Sequence, residues 1–255
     1  MALPKYLYGV SAAAALVGVG VAVGTALQRR TQTLPVPSRR PRMPTRTVTS
    51  RLVAVVPPYG RITLNETEAV LSWMHRAPPG PFGMIIHALG GFSTAVDHLA
   101  RAMRMYEHPI TAYVPYRAMS GGTLLALAAD KIVMNETAIL GPVDPQLAGF
   151  PAHSIATLLE RKPIDRMSEE WYVLALESQK AIDETTRLVG ELVQSPAAVA
   201  RLTNGDTTHG LGISMREAKE IGLPIVAGIG PEIMMLADQA IAASKMQEFP
   251  FPGRG

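Results

Sequence analysis

The chain has 255 residues, 47% of them hydrophobic, which allows a sizeable core in one large domain or two small ones. It contains no cysteine, which excludes thiol catalysis, disulfides and cysteine-ligated zinc. The formal charge is +3, but Lys5, Arg29, Arg30, Arg39, Arg40, Arg42, Arg46 and Arg51 all precede the first acidic residue, Glu66, and setting those eight aside leaves 16 cations against 21 acids. The body of the chain is therefore mildly acidic, and no nucleic-acid partner is expected.

After a six-residue tip, Leu7 to Leu27 is an uncharged run of 21 residues, LYGVSAAAALVGVGVAVGTAL. A helix of that length spans roughly 30 Å, the hydrocarbon thickness of a bilayer. A cleaved signal peptide usually has a shorter apolar stretch, about 7–15 residues, so a retained transmembrane helix is the expectation. One lysine precedes the helix and seven arginines follow it, a bias that places the C-terminal domain in the cytoplasm. The same arginines can face anionic lipid headgroups. Residues 28–51 read as a basic, proline-rich tether with no helical period.

From residue 52 to about 245, apolar strands alternate with amphipathic helices. LVAVV (52–56) is a short strand; Thr63 with Glu66 forms a capping box that opens a helix to about Arg76. FGMIIH (82–87) is a second strand, and Gly90-Gly91 lead into a helix over about 93–106. ITAYVPY (110–116) is a third strand, followed by the helix TLLALAAD and the short strands KIVM and AIL. Helices follow over about 152–161 and 169–193, then one capped by Ser214 with Glu217, then a last one over about 232–245. Continuous apolar runs joined by helices predict an α/β fold of βαβ units, with a parallel sheet covered on both faces. No internal repeat shows at any fixed period, and residues 246–255 read as an exposed tail.

The segment that carries chemistry is AMSGGTLLALAADKIVMNETAILGPVDPQL, residues 118–147. Ser120 sits where a strand turns into a helix and is followed by two glycines. Such a turn exposes a hydroxyl beside the helix's unbonded N–H groups and its positive dipole end. A serine nucleophile needs that setting, because the tetrahedral oxyanion is stabilised by donors already in place. Gly90-Gly91 offer a second set of donors. The plainer reading makes Ser120 a helix N-cap and both glycine pairs turns. The motif is not the GxSxG elbow of α/β hydrolases.

Residues 82–147, and more loosely 52–228, resemble the serine dehydrogenase proteinase family, membrane-anchored relatives of SppA and ClpP with a ClpP/crotonase-like fold of repeated ββα and βαβ units. The likeness runs through YRAMSGGTLLALAADKIVMNETAILGPVDPQL, a long helix containing QKAI, and TTHGLGISMREAKEIGL. It implies Ser120 as nucleophile and an oxyanion hole from Gly90, Gly91 and Gly121. One departure is Ala88-Leu89, where the family usually carries a threonine-proline pair.

The resemblance also suggests a lysine base, which burial would have to bring towards neutrality. Lys180 matches the lysine of NfeD-type membrane proteases, and Lys162 fits the spacing of SppA-type enzymes. Glu177 and Glu184 flank Lys180 as a surface ion-pair ladder would. A Ser-His-Asp arrangement is the other option: Asp144 lies close to where ClpP carries its histidine, and His209 precedes the helix capped by Ser214. Asp144 can also fix the loop, and His209 can be a base, a substrate contact or a loop residue. His87 reads as a packed strand-end histidine. His75, His98, His108 and His153 show no metal-ligand spacing, so neither metal nor cofactor is expected.

The expectation is a membrane-anchored serine peptidase acting on peptides or membrane-protein segments, assembled as a homo-oligomer. The competing classes are an inactive membrane scaffold on the same fold and a crotonase-type acyl-CoA enzyme.

Overall fold

The computed structural model describes residues 51–57 and 60–248, with side chains up to Ser244. The predicted membrane helix over 7–27, most of the tether and the end of the tail lie outside the described residues. Among the described residues no helix is long and apolar enough to cross a membrane.

Three successive units each supply a long strand, a short strand and a helix. The first is β1 (Leu52–Val55), β2 (Arg61–Ile62) and α1 (Leu64–Arg76). The second is β3 (Phe82–Ile86), β4 (Gly90–Gly91) and α2 (Ser93–Met105). The third is β5 (Ile110–Val114), β6 (Arg117–Ala118) and α3 (Gly121–Ala128). A fourth pair of strands, β7 (Lys131–Met134) and β8 (Ile139–Leu140), leads into the hairpin β9 (Gln146–Leu147) and β10 (Phe150–Pro151). Next come α4 (Ala152–Ala156), α5 (Leu158–Arg161), α6 (Glu169–Leu192) and α7 (Pro196–Thr203). The described chain ends with β11 (Ile213–Ser214), α8 (Met215–Glu220), β12 (Ile225–Ala227) and α9 (Pro231–Glu248).

The long strands form one parallel sheet in the order β1-β3-β5-β7-β12. The short strands form a second layer: β2 pairs with β4, β6 with β8, and β8 with β11. Ala88, just before β4, bridges to Ala118 in β6. The repeating ββα plan is thus structural, with no sequence period to announce it.

Every residue of β3 and β5 is buried, as continuous apolar runs require of strands covered on both faces. Alternate side chains go to opposite sides. Met84 and Ile86 join the large core with α1, α2 and α3, whereas Ile85, Tyr113 and Val133 meet Ile233 and Ala237 of α9. Phe82 lies edge-on to Trp73 and Tyr106, with ring centroids 5.0 and 5.2 Å away. The predicted capping box of α1 is present: Thr63 N–H donates to Glu66 Oε2 at 2.7 Å, and Thr63 Oγ1 accepts from Asn65 N–H at 3.2 Å. Such a cap contributes about 1 kcal/mol.

Four features differ from the sequence expectation. The helix expected over 152–161 is divided at Thr157 into α4 and α5. Helix α7 was not foreseen, although Ser195 caps it and Pro196 occupies its first turn. Strand β12 completes the main sheet, and the β9–β10 hairpin turns through Ala148 and Gly149, both at positive φ.

Candidate active site

Helix α3 is buried along its whole length, so its N-terminus is fixed by packing. Ser120 stands immediately before it with φ 49° and ψ −114°. A side chain in such a conformation costs about 1–3 kcal/mol and persists only where the surroundings enforce it. Those surroundings are explicit. Met119 N–H donates to Ala88 O at 2.9 Å, Gly122 N–H to Met119 O at 2.8 Å, and Leu124 N–H to Ser120 O at 3.1 Å.

Below the turn, the Thr123 hydroxyl lies 2.6 Å from Ala118 O and 2.9 Å from Gly141 O, and accepts from Gly141 N–H at 3.0 Å. The plain N-cap reading of Ser120 does not hold, since its side chain makes no capping hydrogen bond. The hydroxyl remains at a half-buried surface.

The glycines converge on this hydroxyl. Gly90 has φ +145°, and a Cβ built there would lie 3.2 Å from Ser120 Cβ, 3.4 Å from Ser120 Oγ and 3.9 Å from Gly121 N. A Cβ on Gly121 would lie 2.6 Å from Val96 Cγ2 and 3.3 Å from Gly91 N. Phe92 N–H donates to Ile62 O at 3.0 Å in the β2–β4 ladder. Gly91 N and the start of α3 at Gly121 therefore lie side by side, next to Ser120.

The Ala88-Leu89 departure leaves this loop in place. Ala88 N–H donates to Arg117 O at 3.3 Å, and Leu89 N–H, which a proline would lack, donates to Gly60 O at 2.7 Å. Leu89 and Phe92, on either side of the glycine pair, are 49% and 59% exposed and form an apolar rim.

The predicted lysines are elsewhere in character. Lys180 is exposed on α6 and paired with Glu177 at 2.6 Å, with two thirds of its side chain in solvent. Lys162 is exposed at the end of α5. Neither lysine is buried among the described residues, and Lys180 makes the ion pair with Glu177 that residues three apart on a helix allow.

Asp144 and His209, with 64 positions between them in the sequence, are near enough for the histidine's charge to act on the carboxyl. Asp144 is 3% exposed, and its segment begins at Gly141, where a Cβ would lie 3.0 Å from Met119 Cα. That places the segment directly beside the Ser120 turn. Gln146 Nε2 donates to Asp144 Oδ2 at 3.0 Å. Asp144 Oδ1 and His209 Nδ1 are both buried without a hydrogen-bond partner among the described residues. Burial raises the Asp144 carboxyl above its ordinary value, opposed first by the charge of His153, then by that of His209 and by the Gln146 hydrogen bond. Among the described residues no three His, Cys, Asp or Glu side chains are arranged to hold a metal ion. His87 packs edge-on to Tyr116 at 5.9 Å, as a strand-end histidine would.

A strained serine at a buried helix start, two glycines against it and a layered ββα architecture define a ClpP-like α/β protein with a serine peptidase type of site. The chain belongs to the ClpP-like SDH-type serine proteinases, whose family model matches residues 44–254. It is 37% identical over 209 residues to an uncharacterized protein of Methanocaldococcus jannaschii, covering 77% of this chain and 73% of that protein. A second uncharacterized protein of the same organism is 33% identical over 191 residues, covering 72% of this chain and 65% of its own length. Among solved structures the chain is similar to a ClpP1 mutant from Listeria monocytogenes, with a TM-score of 0.52 and 18% identity over 70% of this chain and 92% of that one. At that identity the likeness speaks for the fold alone.

Proposed function

We propose that this protein hydrolyses peptide bonds by acyl transfer through Ser120, with His209 as general base, Asp144 as its orienting carboxylate, and the N–H groups of Gly91 and Gly121 as the oxyanion hole. The observation that carries the reading is the forced backbone of Ser120 (φ 49°, ψ −114°) against Gly90. Asp144 Oδ1 and His209 Nδ1, each buried without a hydrogen-bond partner among the described residues, and the action of the His209 charge on the Asp144 carboxyl support the choice of base.

In the first step Ser120 Oγ bonds the substrate carbonyl carbon while its proton passes to His209. The carbonyl oxygen becomes the oxyanion facing Gly91 and Gly121, where fixed donors stabilise it without reorganisation. The C–N bond then breaks, and His209 returns the proton to the leaving amine. Water attacks the acyl-enzyme by the same route, giving up its proton to His209 and releasing the acid. Asp144 holds the imidazole in one tautomer and stabilises its charged form.

The setting belongs to the same proposal. The apolar run Leu7–Leu27 anchors the chain in a membrane, the arginine-rich tether lies against lipid headgroups, and the domain faces the cytoplasm. The substrate is a peptide or membrane-protein segment. Exposed Ile164, Val173 and Leu176 on and beside α6 support assembly as a homo-oligomer. Detergent-solubilised full-length protein should cleave an unfolded protein substrate, and Ser120→Ala should fold equally well yet cleave nothing. Cleavage retained by Ser120→Ala would reject the mechanism, and a silent, intact wild type would favour a scaffold.

A further inference from the structure

The charge of a second histidine, His153, also acts on the Asp144 carboxyl. His153 lies in α4, whose start is tied to the Asp144 segment, because Ala152 N–H donates to Pro145 O at 2.8 Å. His153 Nε2 lies 2.7 Å from Thr203 O. A carbonyl oxygen only accepts, so Nε2 carries the proton. Thr203 ends α7, and the loop that follows carries His209.

That loop begins by closing on the imidazole. Gly205 has φ +68°, and any Cβ there would overlap Cγ, Cδ2 and Cβ of His153. The Asp144 segment is tied to the end of α7 as well, by a bond from Val143 N–H to Leu202 O at 2.7 Å. The neighbouring charges are already committed: Arg201 pairs with Glu217 at 2.7 Å, and Asp206 accepts from Asn204 Nδ2. His153 is thus the side chain that meets both the Asp144 segment and the base of the His209 loop.

We propose that His153 is a positioning residue, which donates from Nε2 to Thr203 O and packs under Gly205 so that the 204–212 loop presents His209 to Asp144. The inference rests on the Ser120–His209–Asp144 reading and adds a residue to it. His153 touches neither substrate nor Ser120 in this scheme. It fixes geometry, and misplacement of a base by about 1 Å lowers a rate by up to about 100-fold.

The test uses the full-length protein in detergent and a fluorophosphonate probe, which needs no knowledge of the substrate. Ser120 Oγ bonds phosphorus, fluoride leaves, and the hydroxyl proton passes to the base. His153→Leu, which cannot donate to Thr203 O, should lower the maximal labelling rate about 10- to 100-fold with the half-saturating probe concentration unchanged. His153→Gln, whose amide reaches the Nε2 position, should restore the rate to within about 3-fold of wild type. If the leucine variant does not fold, His153→Asn, too short to reach Thr203 O, takes its place.

Equal labelling by wild type and the non-donating variant, with His209→Ala unlabelled, would overturn this role for His153 while leaving the site intact. A labelling rate that falls equally in the Gln and the non-donating variants would overturn it too. Wild-type labelling of His209→Ala would instead reject the underlying site, and the inference with it.

Discussion

A methyl group on Gly90 would lie 3.2 Å from Ser120 Cβ and 3.4 Å from Ser120 Oγ. Gly90→Ala should therefore abolish probe labelling at Ser120. It should also destabilise the fold by about 1–3 kcal/mol, because φ +145° suits no L side chain. Gly122 is the control. A Cβ there meets Ala88 and Ala118 at 3.5 Å, an ordinary contact, and in a helix alanine is favoured over glycine by about 0.5–1 kcal/mol. Gly122→Ala should keep or raise the urea midpoint and still label. Equal behaviour of the two variants would show that Gly90 does not border the reaction space.

Ser120 holds φ 49° and ψ −114° at a cost that glycine would not incur. Ser120→Gly should be more stable than Ser120→Ala by about 1 kcal/mol, and neither should label. Paired urea unfolding curves measure the difference. A less stable glycine variant would mean that the turn stores no strain.

Asp144 predicts a pH-dependent stability whose sign follows from burial. Its carboxyl lies above the ordinary 3.8 in the folded state, so the folded protein binds more protons than the unfolded one between those two values. Stability therefore falls as pH rises through that window and stays lowered above it. Asp144→Asn removes this loss. It should melt above wild type at pH 8, with the advantage shrinking as pH falls towards the ordinary carboxylate range. Probe labelling should fall by about 100-fold or more, because the imidazole loses its orienting charge. A variant that melts below wild type at pH 8 would show that the ionised carboxylate stabilises the fold.

The parts of the fold legible in the sequence were those with length or local chemistry. FGMII and ITAYV read as buried strands because they are apolar without alternation, and Thr63 with Glu66 marked the start of α1. Ser120 stands out less by its spacing, which fits a plain helix N-cap as well, than by the long stretch of family likeness around it. The second layer was not, since Gly90–Gly91 and Arg117–Ala118 are two-residue strands, too short to carry a period. Helix α7 carries a local signal, Ser195 as its cap followed by Pro196 in its first turn.

The base was the hardest feature to read. Lys180 matched a family position, but burial depends on tertiary packing, and α6 leaves it in solvent with Glu177. The segments that carry Asp144 and His209 are tied by the bond from Val143 N–H to Leu202 O at the end of α7, a contact that no spacing rule reveals. Such a pairing is set by long-range topology, not by the residues flanking either member.

The most direct test of the account is probe labelling and cleavage of an unfolded protein by wild type, Ser120→Ala, His209→Ala, Lys180→Ala and Lys162→Ala, each checked for folding. Both activities should disappear with Ser120 and fall at least about 1,000-fold with His209, while the two lysine variants stay near wild type. Activity kept without His209 and lost with one of the lysines would contradict it and restore a serine–lysine pair.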